Sequence, residues 1–365
     1  MNRRQILIGG GASVVALGTG AGVVAVRQMS AASSYAEATT AAHRSLAARP
    51  DARELIRYAT LAPSGHNTQP WRFAIEPGAI TIRPDFARRT PIVDPDDHHL
   101  YVSLGSAAEN LVLAAAARGI RGEASFDPAG DGAIRFRHEQ GASEPSALFD
   151  AIPRRQSTRA DYDGRAVSPA DLKKLAAAAS ITGVDMILFT DRPMIDRVRD
   201  LVLAGNSRQM DDPAFMRELK SWLRFNPRQA LETGDGLYSA TTGNPVVPGW
   251  IGRPALDLFL TTKSENEKYA RQLSSSAGLA VFVGAKVDRA HWVAVGRASQ
   301  RFALQATALG LKHAYINQPV EVPAYWPNLA SLVGMPGVRP DLVMRFGYGP
   351  LLPYSPRRPV PDVIA

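Results

Sequence analysis

The amino-acid sequence predicts an α+β fold of two related halves, each with a mainly antiparallel sheet flanked by helices. Three observations carry this. Helical stretches and short strand-like runs follow one another in mixed order, which suits helices packed on antiparallel sheets. The segment Gly105-Ser106-Ala107-Ala108-Glu109-Asn110-Leu111 through Gly119-Ile120 aligns without gaps with Gly296-Arg297-Ala298-Ser299-Gln300-Arg301-Phe302 through Gly310-Leu311, at an offset of 191 residues. Each copy reads as a Gly-started, Ala-rich helix closed by Gly and followed by a strand, so the period marks two copies of one unit. Finally, 365 residues with 45 % apolar content can bury a large core.

Residues 1–34 read as a targeting segment. Arg3-Arg4 precede an uncharged run from Ile6 to Val26, rich in Gly, Ala and Val, and Arg27 follows it. A basic start and an apolar core are signal-peptide architecture, and the paired arginines resemble a twin-arginine export signal. The expected location is the periplasm or cell envelope. The run at 6–26 is also long enough to serve as a membrane anchor.

The first half, 35–150, opens with an amphipathic helix over Ser34 to Ala48. A second helix runs from Arg53 to Leu61 behind Asp51, a candidate N-cap. Pro63, Gly65 and Pro70 then impose an irregular loop that is dense in Ser64, Asn67, Thr68 and Gln69. Strands are expected at Arg72 to Ile75 and Ala79 to Ile82. Asp94, Asp96 and Asp97 stand before a helix, where acidic residues cap it and complement its dipole. Adjacent histidines on one helical turn point in different directions, and no third His or Glu follows His98-His99 at i+4, so no metal site is read here. The Ala/Leu helix spans Leu100 to Arg118. Strands follow at Arg121 to Phe126 and Ala133 to His138, with a turn at Gly130-Asp131-Gly132.

The second half, 151–365, begins with Arg154-Arg155-Gln156-Ser157-Thr158-Arg159. Ser168-Pro169-Ala170-Asp171 is a helix start. A strand at Met186 to Phe189 and a helix at Pro193 to Leu203 come next. Residues 205–262 read as largely irregular, with a helix at Met210 to Trp222 and breakers at Gly243, Pro245, Pro248, Gly249 and Gly252. A segment of this kind suits a lid. Leu279 to Gly284 is an apolar strand, and Arg289 to Leu309 is the second Ala-rich helix. His313 to Ile316, a short helix near Asn328 to Val333 and a strand at Leu342 to Phe346 complete the half.

The net charge of +8, mostly from Arg, is compatible with an anionic ligand. There is no nucleic-acid module and no basic run with interleaved aromatics, so no nucleic-acid partner is read. The absence of cysteine excludes disulfides, Cys-ligated zinc, a cysteine nucleophile and a lipoprotein anchor.

The pattern Pro63-Ser64-x-x-Asn67-x-Gln69-Pro70-Trp71-x-Phe73 resembles the flavin loop of the nitroreductase family of FMN-dependent oxidoreductases. Members of that family are usually intertwined homodimers with FMN at the interface. Their chain starts with Arg-Arg-x-Ser-x-Arg and ends near Gly-Tyr and a basic Arg-x-Pro. Here the first half has the loop but lacks that start. The second half has the start at Arg154 to Arg159, and Ala179-Ser180-Ile181-Thr182 stands where its loop belongs. The ending occurs once, at Gly347-Tyr348 and Arg357-Arg358-Pro359. The resemblance therefore implies a nitroreductase-like fold fused as an intramolecular pseudo-dimer, similar to the actinobacterial Acg-like branch. It further implies a monomer with one FMN site.

That site is expected to use Pro63, Ser64, Asn67 and Gln69 against the flavin. Arg155 and Ser157 would hold its phosphate, with Arg357 and Arg358 as a second clamp of which one reaches it. Guanidinium suits phosphate because two parallel charge-assisted bonds can form. Arg159 matches the position that places positive charge near flavin N1 and C2=O, which favours reduction. The segment Ile316-Asn317-Gln318-Pro319 departs from the family pattern for addressing N5. No side chain stands out as catalytic. Two functions follow from the resemblance. One is turnover, with electrons passing from NAD(P)H or another donor to a nitroaromatic or quinone-like compound. The other is storage of flavin beneath a lid bearing Trp222, Tyr238 and Trp250.

Overall fold

The computed structural model describes residues 29–365. The expected signal and anchor run at 6–26 lies outside them. Among the described residues no helix is long and apolar enough to cross a membrane.

The first half contains α1 (Ala32–His43), α2 (Ala52–Ala59), β1 (Trp71–Glu76), β2 (Ala79–Pro84), α3 (His98–Ala116), β3 (Ile120–Asp127), β4 (Ala133–Gln140) and α4 (Ala147–Ala151). The second contains α5 (Pro169–Ala178), β5 (Val184–Phe189), α6 (Arg192–Met210), α7 (Pro213–Ser221), β6 (Leu223–Arg224), α8 (Pro227–Thr233) and β7 (Leu237–Tyr238). It continues with α9 (Gly249–Phe259), α10 (Thr262–Ser274), β8 (Gly278–Gly284), α11 (Arg289–Ala308), β9 (Lys312–Tyr315), α12 (Gln318–Glu321), α13 (Trp326–Leu332), β10 (Leu342–Gly347) and α14 (Val360–Val363). The fold is α+β with antiparallel sheets, as expected. Cap residues set several helix starts: the side chains of Asp51, Ser168, Asp191 and Asp288 each accept from a backbone N–H three residues on.

Two four-stranded sheets form, in the orders β1-β2-β4-β3 and β5-β8-β10-β9. Every pairing within them is antiparallel. Both orders read first-second-fourth-third, so the second sheet repeats the topology of the first. The difference lies between the first two strands. In the first half a tight turn at Pro77-Gly78 joins β1 to β2; in the second, residues 190–277 stand between β5 and β8 and carry α6 to α10.

This insertion changes how the sheets are covered. β1 alternates buried and more exposed positions, and most of β3 is exposed, so the first sheet keeps one wet face. β8 is buried along its whole length. A second apolar cluster sits on its far side, where Ile195, Val198 and Val202 of α6 and Leu273 of α10 meet Leu279, Val281 and Val283.

The halves meet through α3 and α11. A Cβ on Gly105 would lie 2.1 Å from the Val293 carbonyl oxygen, and one on Gly296 would lie 2.0 Å from that of Val102. These two contacts are related by the same 191-residue offset, as the self-complementary interface of a two-fold dimer requires. Around them Glu109 binds Arg297 and Arg301 (both 2.8 Å), and the Gln300 side chain donates to Asn110 Oδ1 (2.7 Å). Glu109–Arg301 and Gln300–Asn110 are offset mates, one charged and one neutral.

Each half also reaches into the other. From the first half, His43 Nδ1 lies 2.7 Å from the Pro153 carbonyl oxygen. The C-terminal tail returns to the first half, where Ile364 bridges Phe73 and Ala365 N donates to Phe73 O.

Three expectations need correction. The first helix ends at His43, and Arg44 starts an extended path. The Met210–Trp222 helix is broken at Asp211-Asp212, and Pro213 opens α7 with Asp212 as its cap. The 205–262 segment is mostly helical, because its prolines and glycines act as punctuation. Pro227 stands at the start of α8 and Gly234, at φ 63°, closes it.

Candidate functional site

The Pro63–Trp71 loop leaves α2 and enters β1, so its ends are fixed by a capped helix and a buried strand. Its middle holds three residues in left-handed backbone: His66 (φ 46°), Asn67 (φ 55°) and Gln69 (φ 54°). Side chains at such angles cost energy, and the surroundings must enforce them. The enforcement is visible. Gln69 N donates to Ser64 Oγ (3.0 Å). Asn67 Nδ2 donates to the Gly236 and Pro356 carbonyls (3.1 Å each), and Gln69 Nε2 donates to Gly234 O (2.8 Å). Arg358 N donates to Gln69 Oε1 (3.0 Å).

The two amide side chains therefore face the protein, tying the loop to residues 234–236 and to the irregular C-terminal segment at 356–358. The sequence reading aimed them at a ligand; their bonds make them positioning residues. Arg358 joins the same knot, donating to Gln69 O and Asp362 O, with Asp85 Oδ2 3.7 Å away.

Arg155 and Arg357 meet beside this knot, and Arg357 Nη1 also takes part in it, donating to Asn67 Oδ1 (3.0 Å) and Pro356 O (2.9 Å). The Nη2 atoms of both donate to one carbonyl, Leu61 O (2.8 and 3.2 Å). Arg155 is 3 % exposed. Its buried Nε and Nη1, and Nε of Arg357, have no hydrogen-bond partner among the described residues. No carboxylate pairs with either guanidinium there. Elsewhere the fold does supply acids: Asp235 takes both Arg88 and Arg224. Burial, with Arg155 adding repulsion, pulls Arg357 down to about 9. Burial also lowers Arg155. Two guanidiniums with buried donors to spare and no carboxylate partner among the described residues suit a phosphate group. Ser157 lies two residues from Arg155, held in a bridge with His313.

Beside this pair lies a cavity. Pro63, Ser64, Gly65 and His66 form one wall, Ser103 and Ser106 of α3 another, and Arg159, Tyr315, Asn317 and Gln318 a third. Tyr315 links the two places, since the Arg155 charge reaches it. The Arg159 side chain makes no hydrogen bond or ion pair among the described residues, and burial lowers its pKa. Met210, Phe215, Leu219, Leu237 and Leu260 close the cavity from the 205–262 segment.

Thus the expected residues divide. Pro63, Ser64 and Arg159 line the cavity; Arg155 and Arg357 share the Leu61 carbonyl; Asn67, Gln69 and Arg358 hold the loop. Trp222, Tyr238 and Trp250 do not line the cavity. Trp222 faces the Arg88 and Arg224 guanidiniums, Tyr238 packs edge-on against Tyr35 (4.9 Å), and Trp250 is 51 % exposed.

Several lining residues escaped the sequence reading. Glu321 and Tyr269 line the cavity, and burial raises both, Glu321 to about 7. Burial pushes His66 down to about 4 and His99 well below its usual value. No spacing signal marks these residues, because they arrive from separate elements.

Ligand atoms of Asp94, His98 and His99 all lie within 4.8 Å of one another. Contrary to expectation, the adjacent histidines do not diverge: the α3 start brings their ligand atoms together with that of Asp94. Both Asp94 oxygens are engaged as caps, accepting from His99 N and Leu100 N (3.0 Å each), and His98 Nε2 is 2.9 Å from Asp341.

Two proteins of Mycobacterium tuberculosis named "Putative NAD(P)H nitroreductase" are similar to this chain. One is 29 % identical over 333 residues, which is 86 % of this chain and 92 % of the relative. The other, further named acg, is 24 % identical over 333 residues, 85 % of this chain and 94 % of its own. Among solved structures, a nitroreductase with bound FMN from Desulfitobacterium hafniense aligns over 61 % of this chain and 98 % of its own. Its identity is 16 % and its TM-score 0.39. No protein-family profile matches the chain.

Proposed function

We propose that the chain belongs to the nitroreductase family and is an FMN-binding oxidoreductase, passing electrons from NAD(P)H or a similar donor to a nitroaromatic or quinone-like acceptor. One observation carries the reading: the Arg155–Arg357 pair, with buried donors to spare and no carboxylate partner among the described residues, next to a cavity lined by Arg159. The donor set fits the group. Arg155 and Arg357 would take the phosphate, with Ser157 beside them. Pro63 to His66 would face the flavin ring, and Arg159 would place positive charge at its edge. Bound flavin supplies the redox chemistry; the chain supplies position, field and exclusion of water. We further propose export through the Arg3-Arg4 segment and a monomer with one FMN, since both halves of the family dimer are in one chain.

A second reading is storage of flavin without efficient turnover. It is favoured by the apolar cover of Met210, Phe215, Leu219, Leu237 and Leu260 over the cavity. Phe215→Ala combined with Leu219→Ala is expected to speed reduction of bound flavin while leaving FMN affinity within about tenfold, or 1.4 kcal/mol. Unchanged rates would mean that the cover is packing. Anaerobic mixing of FMN-loaded protein with NADPH separates the readings: bleaching of the flavin band supports turnover, and persistent oxidised flavin supports storage. Equal retention of riboflavin and FMN would overturn the phosphate pair.

A further inference from the structure

We infer that Glu321 is the proton donor of this cavity, giving a proton to the oxygen of a quinone- or nitro-type acceptor as that acceptor takes up an electron pair. The inference rests on the oxidoreductase reading above.

Glu321 ends α12, directly after the Asn317-Gln318 wall. Its Oε2 accepts from Gln209 Nε2 of α6 at 2.7 Å, which orients the carboxyl. No cation pairs with it among the described residues. The charged and titratable groups around it are Asp94 before α3, Glu265 and Tyr269 of α10, His66 of the loop, His99 of α3, Tyr315 of β9, and Arg159.

The other groups are poorly placed to give a proton at neutral pH. His66 and His99 are held neutral by burial. Burial raises Asp94 to about 6, but both its oxygens accept from backbone N–H groups. Burial raises Tyr269 and Tyr315 above the ordinary phenol range, so both hold their protons tightly. Glu265 is paired with Lys268 at 3.3 Å. Glu321 remains, with Oε1 free of any hydrogen bond among the described residues. Burial first, then the nearby Asp94, lifts it to about 7, and the Gln209 bond opposes this. An acid poised near the working pH is what proton transfer favours.

The step balances. A quinone takes a hydride, which carries the electron pair and one proton from the reductant, and a second proton from Glu321; the product is the hydroquinone. Glu321 is left as a carboxylate and regains its proton from solvent.

Two measurements test this. Infrared difference titration of flavin-free protein is expected to show a protonated-carboxyl band lost near pH 7, absent in Glu321→Gln. The same band in both proteins would overturn the assignment whatever becomes of the flavin. In FMN-loaded, reduced protein, Glu321→Gln is expected to slow reoxidation by a quinone by roughly 10²-fold. Reoxidation by ferricyanide, which takes electrons without a proton, is expected to be unchanged, and Glu321→Asp to recover part of the quinone rate. Equal effects on both acceptors, or none, would overturn the inference. Protein that takes up no flavin would instead sink the oxidoreductase reading, and the infrared arm would still decide whether Glu321 carries the proton.

Discussion

The two halves of this chain share a frame and differ in what they do with it. Each has a sheet in the same strand order and a central Ala-rich helix, and the helices touch through glycines at offset positions. Yet the Pro63–Trp71 loop occurs in the first half, and Arg155, Arg159 and Arg357, proposed to complete an FMN site with it, come from the second. The second half instead fills the place of a two-residue turn with helices that bury its sheet and roof the cavity. A duplicated frame sets the geometry, so one copy of each functional segment is enough when the segments meet across the dyad.

The comparison breaks most severely at the dyad itself. Gly105→Val and Gly296→Val each drive a side chain into a backbone carbonyl that lies about 2 Å from the new Cβ. Neither carbonyl belongs to a flexible side chain, so the helices must part. Overpacking of this sort costs about 3 kcal/mol or more. Both variants are expected to lose soluble, cooperatively melting protein, and to a similar degree. If one is tolerated with little change in melting temperature, the interface is not symmetric in energy.

The next effect separates the two kinds of arginine. Arg155→Ala removes charge-assisted bonds worth about 1.5–3 kcal/mol, so FMN affinity should fall roughly 10- to 150-fold and the preference over riboflavin should collapse. Arg358→Ala should lower thermal stability and keep that preference, because Arg358 is bonded to Gln69 and Asp362. Fluorescence titration with both flavins checks the contrast. Arg357 adds a pH signature. Its folded value is about 9, below the ordinary 12.5, so its buried charge opposes folding at neutral pH. That penalty is relieved as pH rises through about 9 toward 12.5. Arg357→Met should remove this pH dependence of stability and weaken FMN binding at neutral pH. Unchanged FMN affinity in Arg357→Met would remove Arg357 from the clamp.

Much of the frame was legible because local chemistry dictates it. The caps at Asp51 and Ser168, the Gly-closed helices and the apolar run at 279–284 are all determined within a few residues. The 205–262 segment was misread because proline and glycine serve equally as breakers and as helix starts and stops. Which role applies depends on packing that sequence does not display. The site was half legible for a similar reason. Polarity marked Asn67 and Gln69, but whether a buried amide faces a ligand or a carbonyl depends on where Gly234, Gly236 and Pro356 arrive. Glu321 carried no signal at all, since its chemistry comes from enclosure rather than from neighbours in sequence.

The smallest effect expected of a single change, that of Glu109→Gln, probes the asymmetry at the dyad. Glu109 is nearly fully buried and bonds Arg297 and Arg301, whose side chains are 27 % and 29 % exposed. Its offset mate Gln300 is fully buried and meets Asn110, whose Nδ2 is already donated to Tyr58 O (3.1 Å). The charged end therefore has water near its cations, and the neutral end has none. Glu109→Gln copies the neutral end onto the charged one. It keeps one acceptor and leaves two arginines that solvent can reach, so the expected cost is about 1 kcal/mol. The reverse copy, Gln300→Glu, puts a carboxylate where no cation stands and where Asn110 can offer little. An uncompensated buried charge costs about 3–5 kcal/mol, unless the group stays protonated. The double change Glu109→Gln with Gln300→Glu should therefore be no better than Gln300→Glu alone. Chemical denaturation of the three variants checks this. If Glu109→Gln proves the more costly single change, burial does not explain why the charge survives at one end of the dyad.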